Sequence, residues 1–193
     1  PKDFKSSNKY PLVIALHDVK ESAQSTLEKW RPVADDLGLI VVCPVGSDYQ
    51  SGYTRKPTDD RKLFVQFKAL SAQKYNINPK QVLLAGFSRG GNYAIETGIM
   101  YPDQFPLVVS LFGFFNESLQ TTLTKNSSQQ KYKNSRFYFL TGKGDATRKS
   151  LETGNALLKK LKIRSKLVVV DDLFHAYPSD LAQHTKNVLQ EKF

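Results

Sequence analysis

Six short runs of apolar residues constrain the fold of this 193-residue chain more than any other feature. Each run has about four to six residues and is rich in Val, Ile, Leu or Phe, without strict alternation with polar residues. Continuous apolar character is typical of strands that are covered on both faces, as in a parallel sheet. The runs are Leu12–Leu16, Leu39–Cys43, Val82–Ala85, Leu107–Leu111, Phe137–Leu140 and Leu167–Val170.

Helix-like segments separate these apolar runs along the chain. The alternation of strand and helix predicts an α/β fold with right-handed crossovers, in which a mostly parallel sheet of about six strands carries helices on both faces. We expect a single domain over residues 1–193, because no linker or internal repeat interrupts the pattern. Trp30 is expected in the core, since it shares a helical face with other apolar residues. The predicted helices cover residues 22–37, 59–75, 89–101, 149–162 and 179–191.

Two polar stretches are longer than ordinary connections between elements. Residues 47–60 join a predicted strand to a helix, and residues 118–135 follow the fourth apolar run. Connections in compact domains usually have about 4–6 residues, so longer ones are often functional loops. We therefore expect residues 118–135 to form either a small cap over a site or a loop insertion on the surface.

Basic residues are concentrated in one part of the chain. The whole sequence has 28 Lys and Arg against 18 Asp and Glu, a formal net charge of +10. Residues 125–166 contain twelve basic residues and only two acidic ones, Asp145 and Glu152, so their excess equals the net charge. Such a surface attracts anionic partners or simply keeps a protein in solution. A nucleic-acid partner is not expected, because no nucleic-acid-binding motif or interleaved aromatic residues accompany these charges.

Cysteine content and hydropathy narrow the class of protein further. The single cysteine, Cys43, excludes an internal disulfide framework, and with three histidines it excludes a cysteine-rich zinc module. No run approaches the ~18 apolar residues that a transmembrane helix needs. The chain begins at Pro1, which slightly favours an exported protein whose leader was removed. Trimming explains this start equally well, so the compartment stays open.

The segment Gly86–Gly90, with the sequence Gly-Phe-Ser-Arg-Gly, is the strongest functional motif. It directly follows the third apolar run and directly precedes a predicted helix, which is the strand–turn–helix context of a nucleophile elbow. In such a turn Ser88 adopts a strained backbone conformation, and the two glycines avoid collisions across it. Its hydroxyl would project above the sheet at the positive end of the helix. The alternative is a glycine-rich helix start with Ser88 as its N-cap.

A serine nucleophile needs a neighbouring base, and the chain has three histidines that could supply one. His175 follows the last apolar run, so we expect it at the carboxyl edge of the sheet together with Ser88. His17 also follows a strand, but early in the chain. His184 lies within a predicted helix and is expected on the surface.

The base must in turn be oriented by an acid. Asp145 follows the fifth apolar run and is expected at the same edge of the sheet. The order Ser88, Asp145, His175 is the chain order of an α/β-hydrolase triad. Three rival acids stay open at this point, and they are Asp171, Asp172 and Glu117.

Several motifs in this order resemble those of serine esterases of the α/β-hydrolase superfamily. The similar branch contains carboxylesterase/phospholipase-type, feruloyl esterase and polyhydroxybutyrate depolymerase-like enzymes, and the resemblance covers nearly the whole chain. The motifs that carry it are Tyr10–His17 (the strand leading to the oxyanion loop), Val41–Pro44 (the end of the next strand), Asn78–Gly91 (the run into the elbow), Gly142–Asp145 (the acid loop) and His175–Pro178 (the base loop).

The resemblance implies a three-layer α/β-hydrolase fold and a mechanism that uses no cofactor and no metal ion. It implies that Ser88 is the nucleophile, that His175 acts first as general base and then as general acid, and that Asp145 orients the histidine. Residues that we expect, more weakly, to contact the substrate are His17, Tyr49, Tyr53 and Tyr177.

The oxyanion loop and the N-terminus depart from the family pattern. The resemblance implies that the backbone N–H of Arg89, together with that of Val19 or Asp18, stabilises the oxyanion. The family usually has glycine where this chain has Asp18, and a carboxylate near a developing oxyanion is unfavourable. Only ten residues precede Pro11, so we expect the antiparallel strands that usually open the fold to be reduced or absent.

A serine esterase is the function that these residues and the resemblance predict. The enzyme would hydrolyse a carboxylic ester, either small or polymer-linked, through an acyl-enzyme intermediate. Asp18 leaves a catalytically weak or inactive binding protein with a hydrolase fold as one alternative, because fold does not imply function. A thioesterase or peptidase that uses the same triad is the other alternative. Neither the natural ester nor the oligomeric state follows from the sequence.

Overall fold

The computed structural model describes residues 1–19, 21–48, 52–57, 59–125 and 129–190. Within these ranges, six strands form one sheet, and six α-helices and one short 3₁₀ helix (Gln129–Tyr132) connect or flank them. The strands are β1 (Tyr10–Leu16), β2 (Ile40–Val42), β3 (Ile77–Phe87), β4 (Leu107–Leu111), β5 (Arg136–Gly142) and β6 (Arg164–Val170). The α-helices are α1 (Ala23–Leu37), α2 (Asp60–Lys74), α3 (Arg89–Met100), α4 (Glu117–Lys125), α5 (Arg148–Lys160) and α6 (Leu181–Leu189).

All neighbouring strands of the sheet are parallel, in the order β2-β1-β3-β4-β5-β6. The chain therefore starts inside the sheet, adds β2 on one side and then crosses back to place β3 on the other side of β1. This reversal is a topological switch point, and the loops that leave β1 and β3 diverge there. Ligand sites of open α/β sheets lie at such a point, beyond the carboxyl ends of the strands.

Both faces of the sheet are buried, which explains why the apolar runs do not alternate with polar residues. In β1, the side chains of Leu12, Ile14 and Leu16 pack on the face that carries α2, α3, α4 and α5. Val13 and Ala15, which point the other way, pack on the face that carries α1 and α6. The structure thus confirms the predicted α/β sheet with helices on both faces. Trp30 of α1 is 1% exposed, which confirms its predicted place in the core.

The segment 118–135, predicted as a small cap or a surface loop, contains helices in its described part. It contains most of α4 and the 3₁₀ helix, and it forms part of the crossover from β4 to β5. Leu119 and Leu123, one helical turn apart, are buried against the core, and Tyr132 is buried with them. Few apolar side chains anchor this polar segment, so hydropathy periodicity gave too weak a signal for a helix.

None of the helices in the described ranges is long and apolar enough to cross a membrane.

Candidate active site

Ser88 stands at the junction of β3 and α3 in a conformation that side-chain-bearing residues seldom adopt. Its φ is 51° and its ψ is −113°. Two backbone hydrogen bonds hold it there. The Ser88 N–H donates to the carbonyl of Leu111 in β4 (2.8 Å), and the Asn92 N–H donates to the carbonyl of Ser88 (3.1 Å). A strained residue that neighbouring backbone holds in place is typical of a functional site.

The two glycines of the motif make the sharp turn possible. A Cβ atom on Gly86 would lie 2.2 Å from the carbonyl of Gly90. A Cβ atom on Gly90 would lie 2.3 Å from the carbonyl oxygen of Leu16, at the end of β1. Both neighbours are backbone atoms, so neither can rotate away. The absence of side chains at these positions lets α3 start directly against β1 and β3, with Ser88 at its N-terminal end.

We expect Gly90→Ala to destabilise the protein by roughly 1–3 kcal/mol, although alanine is the better helix former. The added methyl group must displace the backbone of Leu16 or tilt the start of α3. Urea unfolding measures the change, and Gly144→Ala is the matched control, since no atom lies within 4 Å of a Cβ built there. Equal stabilities of the two variants would contradict this account of the elbow.

The side chains of His175 and Asp145, which the sequence predicts as base and acid, are joined by a hydrogen bond. The Nδ1–H of His175 donates to Oδ2 of Asp145 at 2.8 Å. The Asp145 side chain is 9% exposed and the His175 side chain 41% exposed, so the pair opens to solvent on the histidine side. The other carboxylate oxygen of Asp145 accepts hydrogen bonds from the backbone N–H (2.8 Å) and the hydroxyl (2.6 Å) of Thr147. Burial raises the pKa of Asp145, but the hydrogen bonds from Thr147 and His175 outweigh it and lower the pKa below the usual value.

The structure distinguishes Asp145 from the three other acids that the sequence offers as partners of His175. Asp171 forms an exposed ion pair with Lys143 (3.2 Å), and Asp172 is exposed. Glu117 is the first residue of α4, where a carboxylate interacts favourably with the helix dipole. Of the four candidate acids, Asp145 is the one that contacts His175.

Two phenylalanines that sequence reasoning missed hold the imidazole of His175. Its ring centroid lies 5.1 Å from that of Phe87 and 5.0 Å from that of Phe112, both in edge-to-face arrangement. Phe87 directly precedes Ser88, so this contact brings the histidine beside the elbow. Phe112 has a φ of 53°, and its N–H donates to the carbonyl of Leu140 at 2.8 Å. The hydrogen bond that the structure gives for the His175 ring is the one to Asp145.

The N–H of Arg89, predicted as an oxyanion donor, already has a partner. It donates to Oδ1 of Asp18 in the loop after β1, at 3.0 Å. The N–H of Val19, one of the two alternatives predicted for the second donor (the other being that of Asp18), has no acceptor among the residues that the structure describes. The loop therefore brings the carboxylate of Asp18 to the elbow.

Two of the residues predicted to contact substrate instead support the loop after β1. The ring of His17 is buried, donates from Nδ1 to the carbonyl of Asp18 (2.7 Å) and accepts at Nε2 from the N–H of Gly46 (3.3 Å). Tyr53 is 1% exposed, and its hydroxyl accepts a hydrogen bond from the N–H of His17 at 2.9 Å. These contacts correct the prediction, because burial leaves neither ring a free face for substrate.

The other two residues predicted to contact substrate are Tyr177, which packs on Phe87, and Tyr49. The ring of Tyr177 stacks on Phe87 with centroids 4.6 Å apart, and the ammonium of Lys29 lies 4.7 Å from its centre. It thus packs against the elbow from the face of α1 and α6. Tyr49 lies outside the described residues.

His184 is the histidine whose predicted surface position is wrong. Its side chain is 12% exposed, and Nδ1 accepts a hydrogen bond from the hydroxyl of Tyr138 at 2.6 Å. Its Nε2 lies 3.2 Å from a carboxylate oxygen of Asp180. α6 turns this position toward β5, which the polar neighbours of His184 in the sequence do not reveal. The histidine contributes to packing between α6 and the sheet.

The described part of the chain offers neither a cluster of metal-ligating side chains nor a reactive thiol. No group of three or more His, Cys, Asp or Glu side chains in those ranges could hold a metal ion. The thiol of Cys43 is partly buried, and its desolvation raises its pKa to about 12. A thiol with such a pKa is almost entirely protonated near neutral pH and is a poor nucleophile.

The parallel sheet, its helices on both faces and the strand–turn–helix that carries Ser88 together define the α/β-hydrolase fold. The chain belongs to the Esterase family, whose model matches residues 1–160. The solved structure of an esterase from Pyrobaculum calidifontis superposes with a TM-score of 0.76 at 18% identity. The superposition covers 97% of this chain and 78% of that one, and it shows the shared fold.

Two relatives are similar over part of the chain. The bifunctional acetylxylan esterase/xylanase XynS20E of Neocallimastix patriciarum is 34% identical over 85 residues, which are 43% of this chain and 13% of the relative. A poly(3-hydroxybutyrate) depolymerase of Ralstonia pickettii is 25% identical over 118 residues, which are 51% of this chain and 24% of the relative. The matched regions are therefore less than a quarter of the length of either relative.

Proposed function

We propose that this protein is a serine hydrolase that cleaves a carboxylic ester through Ser88, His175 and Asp145. The observation that carries the proposal is the 2.8 Å hydrogen bond between His175 and Asp145, which is formed beside a serine held in a strained elbow. Membership of the Esterase family supports the class of reaction. The position of the elbow at the switch point of the sheet supports the place of the site.

The reaction would proceed in two halves. Asp145 holds the proton of His175 on Nδ1, so Nε2 is free to take the proton of the Ser88 hydroxyl as its oxygen attacks the ester carbonyl. The carbonyl π electrons move onto oxygen, and the N–H groups of Arg89 and Val19 would stabilise that oxyanion. Collapse breaks the bond to the alcohol, which leaves with the proton from His175. Water, activated by the same histidine, then releases the acid and restores Ser88.

A polymer-linked ester is the substrate class that we favour. The side chain of His175 is 41% exposed, so an ester on a polymer that cannot enter a deep pocket could still reach it. Phe174, directly before His175, is 85% exposed. Exposed aromatic rings beside a site are suited to contact with a large ligand. The names of the two relatives, an acetylxylan esterase and a polyester depolymerase, support the same class.

Covalent labelling tests the proposed nucleophile directly. We expect a fluorophosphonate probe to modify the folded protein at Ser88, as identified by peptide mass, and 4-nitrophenyl acetate to be hydrolysed. Pretreatment with phenylmethanesulfonyl fluoride should block both signals, and heat-denatured protein should show neither. A folded protein that takes no label and hydrolyses no ester would contradict the proposal. That outcome would favour a binding protein with a hydrolase fold, which the contact between Asp18 and Arg89 makes the second candidate.

A further inference from the structure

The carboxylate of Asp18 occupies the hydrogen-bond donor that the proposed mechanism assigns to the oxyanion. Arg89 is the first residue of α3, and the N-cap Ser88 makes no side-chain capping hydrogen bond. The Arg89 N–H would therefore lack an intrahelical partner, and Asp18 supplies one at 3.0 Å. A negative charge is favourable there, at the positive end of the helix dipole. Asp18 thus offers Arg89 both the charge and the hydrogen bond that a tetrahedral oxyanion would offer.

The backbone of the loop after β1 fixes where Asp18 points. Its carbonyl oxygen accepts hydrogen bonds from the His17 ring (2.7 Å) and from the Glu21 N–H (3.1 Å). The His17 ring is itself buried and bonded to the N–H of Gly46. These bonds involve main-chain atoms of residue 18, so they persist when its side chain is changed. The contact with Arg89 is therefore a built feature of the loop and can be removed without removing the loop.

We propose that the carboxylate of Asp18 blocks the oxyanion hole by occupying the N–H of Arg89, and that it thereby limits the rate of ester hydrolysis. This role, which we call the plug, rests on the function proposed above. The substrate oxygen gains the hydrogen bond from Arg89 only after Asp18 has given it up. In addition, the negative charge of Asp18 opposes the negative charge that develops on that oxygen. Both effects act on the transition state more than on the bound ester, so the plug lowers kcat more than it changes KM.

Replacing Asp18 tests the plug. Loss of one oxyanion-hole donor typically lowers kcat about 10²–10³-fold, so releasing the Arg89 N–H in Asp18→Gly should raise kcat/KM for 4-nitrophenyl acetate by about 10–100-fold. Asp18→Asn removes the charge but keeps an oxygen that can accept from Arg89, so it should give a smaller increase. Asp103→Asn is the matched control. Asp103 is exposed in the turn between α3 and β4, at the opposite edge of the sheet, and its replacement should leave the rate unchanged.

Inhibition by phenylboronic acid separates a plug from a merely structural cap. The boronic acid forms a tetrahedral adduct on a nucleophilic serine, and one adduct oxygen needs the same N–H donors. Its inhibition constant should therefore fall in Asp18→Gly by a factor similar to the rise in kcat. A purely structural cap would lower the unfolding temperature of the variant without tightening boronate binding.

The outcomes distinguish failure of the plug from failure of the proposed function. Fluorophosphonate labelling of Ser88 in both wild type and Asp18→Gly, without any gain in kcat/KM or boronate affinity, would overturn the plug alone. Labelling in the variant and not in the wild type would support both proposals. Absence of labelling in both folded proteins would overturn the proposed function and the plug with it. If Asp18→Gly does not fold, the same comparison is made with Asp18→Asn, where an unchanged rate overturns the plug.

Discussion

Ser88→Ala should reduce ester hydrolysis by about 10⁴-fold or more and leave the fold intact. Removal of a triad serine leaves only the catalysis that comes from binding and the oxyanion donors. The side chain of Ser88 makes no capping hydrogen bond to α3, and alanine meets the same backbone strain at φ 51° as serine does. We therefore expect no large change in stability. Steady-state kinetics with 4-nitrophenyl acetate and a thermal unfolding curve measure the two quantities.

Ser118→Ala is the matched control for the loss of a serine hydroxyl. Ser118 is exposed in the first turn of α4, and we expect its replacement to change kcat/KM by less than about twofold, as is usual for surface positions. Hydrolysis that survives in Ser88→Ala at the wild-type rate would show that another group attacks the ester. The nucleophile proposed here would then be wrong, whatever the substrate.

Asp145→Asn should lower kcat by roughly 10³–10⁴-fold without disrupting the loop. The asparagine oxygen can still accept from Thr147, as one carboxylate oxygen does now. Its amide group, however, would then face Nδ1 of His175 and donate to it. That arrangement places the imidazole proton on Nε2, where the histidine can no longer take a proton from Ser88. Kinetics at several pH values measure the loss, and we expect no recovery at high pH.

Asp172→Asn removes an equal charge three residues before His175 and should retain nearly full activity. Asp172 is exposed, whereas Asp145 contacts the imidazole. Because the hydrogen bonds from Thr147 and His175 hold the pKa of Asp145 below its usual value, the carboxylate is ionised at neutral pH. Its contribution to stability is present above the unfolded pKa and is lost as the pH falls through the lower folded pKa. Similar losses in both asparagine variants would indicate a general charge effect and would contradict the assigned role of Asp145.

Much of the fold could be predicted because its signals are local and repeated. Each strand of a sheet that is buried on both faces must be apolar along its length, so each strand leaves a run in the sequence. The strand, the two glycines and the serine of the elbow are also consecutive, since the turn itself demands them. The helix α4 was missed because its few buried leucines barely stand out from polar neighbours.

The sequence by itself determined the class of fold, the elbow at Ser88 and the candidates for base and acid. Only the tertiary structure decided which of four carboxylates contacts His175, that the rings of His17 and Tyr53 are buried, and that His184 turns inward. The contact between Asp18 and Arg89 joins residues 71 positions apart in the chain. The reason is physical, because a hydrogen bond or a buried face depends on where two distant segments meet. The packing of the whole sheet and its helices sets which segments come into contact, so the contact cannot be predicted from the sequence of either segment alone.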